Sequence, residues 1–199
     1  MNAYQVDQMD ALNQIANHID LLGSLQTEAI GSYLEFRRRL DEFSERHFAA
    51  FCTRACFESR TSACCSKDGI ITFWADMVIN VANADNHQID DLFSAIQTPR
   101  FAEKCIYLGE HGCRWRVRPL GCALFLCDQV EGDVLARNPE LQRQWEAYQS
   151  KARSFRWPDR PVLFDYLEQV FMDAGCRSSL MYINTSPGLL RVKRLAKPP

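Results

Sequence analysis

The sequence predicts a mostly α-helical protein, a helical bundle around an irregular cysteine-rich centre with short strands. Three observations predict it. Apolar residues recur at steps of three and four through the first 50 residues and again after residue 138. Eight of the nine cysteines fall between Cys52 and Cys127. Between Phe101 and Cys127 the helical period gives way to short alternating runs.

Val6, Met9, Leu12, Ile15, Ile19 and Leu22 mark an amphipathic helix over 4–22, which Gly23 ends. Ser24 can cap a second helix carrying Ile30, Tyr33, Leu34, Phe36, Leu40, Phe43, Phe48 and Phe51. The two are expected to form an antiparallel hairpin that delivers the chain to Cys52. Residues 57–69 are polar and turn-rich; a helix is expected from Thr72 onward and another over His87–Gln97, stopped by Pro99. Asn138-Pro139-Glu140 reads as a cap followed by proline at the first helical position. Pro161 opens the last helix, which Gly175 closes, and Trp74, Trp145 and Trp157 read as core anchors. The whole, 1–199, is expected to be one domain: a helical hairpin over 1–50, a cysteine core over 51–128, C-terminal helices over 129–182 and a basic tail over 183–199.

Composition excludes several classes. An apolar fraction of 47% is that of a globular protein. A net charge of −2 and a pI near 6.1 give no support for nucleic-acid binding. No apolar run approaches the ~18 residues of a membrane span, and Asp76 interrupts the best candidate, Ile70–Val81. Met1–Leu22 carries Asp7, Asp10 and Asp20 without a basic leader, so no secretory signal is read and a cytoplasmic location is expected. No glycine-rich phosphate loop is present, and His18, His47, His87 and His111 form no zinc-protease pair.

A reducing cytosol makes persistent disulfides rare, so the clustered cysteines read as metal ligands: Cys52, Cys56, Cys64, Cys65, Cys105, Cys113, Cys122 and Cys127. Cys52 and Cys56 lie four apart, on one face if the helix continues. In an extended segment Cys64 and Cys65 would point to opposite sides, which predicts two sites or one polynuclear site. Cys113-Arg-Trp-Arg-Val-Arg118 alternates, placing Cys113, Trp115 and Val117 on one face and Arg114, Arg116 and Arg118 on the other. This is either a half-buried strand with a solvated arginine face or a source of positive charge for a thiolate site. Soft thiolates disfavour calcium and magnesium. His111, two residues from Cys113, is a candidate ligand or an ordinary loop histidine, and Cys176 reads as a packed thiol.

Cys105-Ile-Tyr-Leu-Gly-Glu-His-Gly-Cys113, followed by Arg118-Pro119-Leu-Gly-Cys122 and Cys127, resembles the YkgJ-type cysteine-cluster family over residues 50–128. That family is described as a zinc- or iron-chelating domain with a C-x2-C-x2-CC opening and an R-P-x2-C close. The opening here is longer, C-x3-C-x7-CC, and Ala123 stands where arginine often follows the close. The resemblance implies a bound metal, an iron–sulfur cluster ([4Fe–4S] in the first instance) or alternatively zinc. Three functions compete. One is a metal-cluster protein in electron transfer or in maturation of a partner protein. Another is a structural zinc module for protein interaction. The third is a modifying enzyme similar to the family's flagellin lysine methylases, although no donor-binding motif is visible.

Overall fold

The computed structural model describes residues 1–23, 25, 27–58, 63–65, 72–155 and 163–183, with Cys56 placed by its backbone alone. The described chain is mostly helical, with one two-stranded sheet. The expected starts at Ser24 and Pro161, together with Trp157 and the basic tail, lie outside the described residues.

Helix α1, Ala3–Asn17, opens on a capping box: Asn2 Oδ1 accepts the Gln5 N–H at 2.9 Å and Gln5 Oε1 accepts the Asn2 N–H at 2.8 Å. Its buried face is Gln5, Gln8, Ala11, Leu12 and Ile15, whereas Val6 and Ile19 are exposed. The face is therefore rotated from the one the apolar pattern predicts. Hydrogen bonding explains the rotation, because both glutamines are satisfied inside: Gln5 Nε2 donates to the Ile96 carbonyl at 2.6 Å, and Gln8 Oε1 accepts the Tyr107 hydroxyl at 2.7 Å. The helix breaks at His18, earlier than Gly23, and a short helix α2 (Ile19–Leu22) follows. His18 Nδ1 donates to the Gln14 carbonyl at 2.8 Å, a local bond that competes with helix continuation.

Helix α3, Thr27–Cys52, buries Tyr33, Phe36, Arg37, Leu40, Phe43 and Phe48, and runs directly into a π-helical turn, Thr53–Glu58. Helix α1 packs chiefly on α4 (Trp74–Ala82) and α5 (Asn86–Gln97). Helix α4 is buried from Trp74 to Val81, the signature of a central helix. Asp85 and Gln88 form the capping box of α5.

After α5, a hairpin pairs β1 (Leu108–Gly109) with β2 (Gly112–Cys113) through a two-residue turn, with Leu108 opposite Cys113. Gly112 has φ of 116°, a region that favours glycine. Two short helices follow, α6 (Leu120–Ala123) and α7 (Asp128–Val130), and a π turn over Glu131–Leu135. Helix α8, Pro139–Ala152, starts where the sequence predicts, with Asn138 Oδ1 accepting the Leu141 N–H at 3.1 Å. Trp145 of α8 meets the Phe43 and Phe48 rings of α3 at 6.2 and 5.5 Å. Helix α9, Leu163–Asp173, packs on α4 and closes at Gly175, with φ of 92°.

Glu168 of α9 is fully buried, and its two oxygens accept the N–H groups of Tyr182 (3.1 Å) and Ile183 (3.0 Å). Glu168→Ala removes the acceptor of the buried Tyr182 N–H and of the half-buried Ile183 N–H, so a loss of about 3 kcal/mol is expected from the urea midpoint at unchanged slope. A variant within 0.5 kcal/mol of the parent, the range of ordinary surface substitutions, would mean that this carboxylate does not anchor the C-terminal segment.

Candidate metal centre

The described cysteines arrive from separate parts of the chain. Cys64 and Cys65 lie on a 3-10 turn, Ala63–Cys65. The carbonyl of Cys65 accepts the Cys105 N–H at 2.9 Å, tying that turn to the segment before the hairpin. Cys113 ends β2, and Cys122 lies in α6. Charge on Cys65 is felt from Cys105, Cys113 and Cys122, and charge on Cys122 from Cys113 and Cys64. Cys64, Cys65, Cys105, Cys113 and Cys122 are thus within electrostatic range of one another. Cys52 ends α3 and Cys127 caps α7, two helices that pack together.

The vicinal pair differs from expectation. The 3-10 turn does not alternate side chains as an extended strand does, and the Cys64 thiol hydrogen-bonds the Cys65 sulfur. This contact raises the Cys64 pKa and lowers that of Cys65. The two-direction argument drawn from an extended backbone therefore does not hold here.

A backbone donor points at one of the sulfurs. Cys105 Sγ accepts the Tyr107 N–H at 3.4 Å. Such a bond favours the thiolate, the form that binds metal. Burial opposes it and is the larger effect. The Cys105 thiol is pushed up to about 12 and the Cys122 thiol to about 11. Cys113 is also raised, although the residue keeps an exposed side, because the protein packed around its sulfur is poorly hydrated.

The metal-free protein consequently carries thiols with folded pKa values above the ordinary 9.0. The folded state then holds more protons than the unfolded state between these values, so stability is complete below about pH 9 and falls as the pH rises towards 12. Chelated, reduced protein is expected to melt lower at pH 10.5 than at pH 8, more so than a variant with Cys105→Ala and Cys122→Ala. Equal shifts in the two proteins would contradict the burial of these thiols.

Among the described residues, no three His, Cys, Asp or Glu side chains lie close enough together to hold one ion. The donor chemistry of thiols suits a soft metal. His111 lies in the exposed hairpin turn, away from a buried ligand position. Cys176 is buried, with its sulfur 3.5 Å from His18 Nδ1. Of the alternating run, Trp115 is buried, Val117 half-buried and Cys113 exposed, so the one-face expectation is met only in part.

The loop after Cys113 is fixed by three buried side chains that motif reading missed. Asp76 Oδ1 accepts the Leu120 N–H at 2.9 Å, and its Oδ2 accepts the Phe73 N–H at 3.1 Å. Asn80 Oδ1 accepts the Val117 N–H at 2.9 Å. Arg37 Nη1 donates to the Arg118 carbonyl at 2.5 Å. The signal was present: Asp76 and Asn80 stand four apart inside an apolar helix, where a polar residue needs an internal partner. Tyr4, whose hydroxyl lies 3.3 Å from Thr72 Oγ1, brings the first turn of α1 to the charge of Cys105 and Cys122.

Compared with family models, curated proteins and solved structures, the chain matches none. Among the described residues no helix is long and apolar enough to cross a membrane.

Proposed function

We propose that this chain is a cysteine-cluster metal protein. The preferred metal is iron in an iron–sulfur cluster, and the role is electron transfer or maturation or modification of a partner protein. The observation that carries the reading is the Tyr107 N–H on the Cys105 sulfur, in a segment whose backbone is bonded to the Cys64–Cys65 turn. Packing alone does not call for a donor on sulfur, whereas a metal thiolate gains from one. The sequence resemblance to the YkgJ-type family, carried by Cys105, Cys113, Cys122 and the Arg118-Pro119 pair, points the same way.

Zinc is the second reading, favoured by the hairpin itself. Cys113 leads from a two-stranded turn, a local arrangement equally suited to a closed zinc site. Elemental analysis and an absorption spectrum of protein prepared without oxygen separate the two. Iron with a broad band near ~400 nm supports the cluster. Zinc with a colourless solution supports the structural site. Less than one transition-metal ion per chain removes both.

A further inference from the structure

Cys64 and Cys65 are neighbours in sequence, and the fold keeps their side chains together. They end the 3-10 turn Ala63–Cys65. With three residues per turn, successive side chains leave the axis roughly 120° apart, where an extended strand would set them on opposite faces. Their sulfurs are in hydrogen-bond contact. Cys64 is exposed and Cys65 half-buried, so a reagent in solution meets the pair from the Cys64 side. The Cys65 carbonyl accepts the N–H of Cys105, itself buried, at 2.9 Å. That bond ties the turn to the segment before the hairpin and holds one member of the pair in place before any ligand arrives.

The number of donors narrows the ligand. A structural zinc or an iron–sulfur cluster takes four protein ligands. Among the described residues no third His, Cys, Asp or Glu side chain joins this pair at ion-binding range. A trivalent arsenic centre that keeps one organic group needs only two thiols. Thiolate sulfur is a soft donor, and arsenic(III) is a soft acceptor.

We propose that Cys64 and Cys65 form a two-thiol binding site for arsonous acids, compounds in which trivalent arsenic carries one organic group and two hydroxyls. Each thiol replaces one hydroxyl. Two As–O bonds break, two As–S bonds form, and each thiol proton leaves with a hydroxyl as water. Arsenic stays trivalent and neither sulfur changes oxidation state, so the step needs no oxidant or reductant. The inference does not rest on the metal reading above, because it uses one pair of thiols in metal-free protein.

The test is phenylarsine oxide, which water converts to the arsonous acid, added to reduced, chelator-treated full-length protein. A challenge with mercaptoethanol follows, read by intact mass. The parent is expected to keep one phenylarsenic group per chain. In Cys64→Ser and in Cys65→Ser, the mercaptoethanol concentration that strips half of the arsenic is expected to fall about a hundredfold, the scale of losing one of two linked attachments. Cys105→Ser and Cys113→Ser are expected to behave as the parent does. Cys64 is exposed, so its serine variant leaves the core intact. Three results overturn the proposal. One is a parent stripped as readily as its Cys64→Ser variant. Another is arsenic held as in the parent by either variant of the pair, which would place the two thiols elsewhere. The third is a loss in Cys105→Ser equal to that in Cys64→Ser, which would make the buried thiol a member of the site.

Discussion

Asp76→Ala is expected to destabilise the protein by about 3 kcal/mol and to lower its metal content. The carboxylate is buried in the central helix and accepts N–H groups from two directions, Phe73 at the start of α4 and Leu120 at the start of α6. Alanine removes both acceptors and leaves the donors inside. Leu120 is two residues from Cys122, so the same change releases the turn that carries that sulfur. Asp76→Asn keeps one oxygen acceptor and is expected to lose less. Urea unfolding and metal analysis on the same preparations check both parts. A variant with parental stability, or one that unfolds more easily yet keeps full metal content, would separate α4 from the cysteine centre and contradict the described linkage.

Cys105→Ser is expected to lower metal affinity at least tenfold. Cys105 lies at the junction of the site: its N–H bonds the Cys65 carbonyl, its carbonyl accepts the Leu108 N–H, and its sulfur receives the Tyr107 N–H. Serine preserves the size and the backbone bonds but is a poor ligand for a soft metal. Its effect on folding without metal should therefore be small. Cys176→Ser provides the contrast. That thiol is buried beside His18 and Phe171, away from the five, and its loss should leave metal content unchanged. Equal metal content in Cys105→Ser and parent protein would exclude Cys105 as a ligand.

Much of the helical scaffold was legible because its signals are local. The Asn138-Pro139 start, the α5 helix before Pro99 and the Gly175 stop each follow from cap and breaker chemistry within a few residues. The face of α1 was not legible, because an apolar stripe cannot register glutamines that bury themselves on partners 91 and 99 residues away. The packing of α1 chiefly on α4 and α5 was not legible either, because it rests on contacts distant in sequence. At the site, cysteine density located the region. The conformation of the Cys64–Cys65 turn, and the use of Arg37, Asp76 and Asn80 to hold the Arg118 loop, depend on tertiary packing that spacing does not encode.

The central claim is that thiolates of this chain hold a metal, and X-ray absorption at the iron or zinc edge of anaerobically prepared protein tests it most directly. The account predicts at least one metal ion per chain, with a first shell of sulfur at about 2.3 Å. For iron, a second metal shell would report a cluster. A first shell of nitrogen and oxygen, or a sulfur shell that persists undiminished after Cys105→Ser and Cys113→Ser are combined, would contradict it.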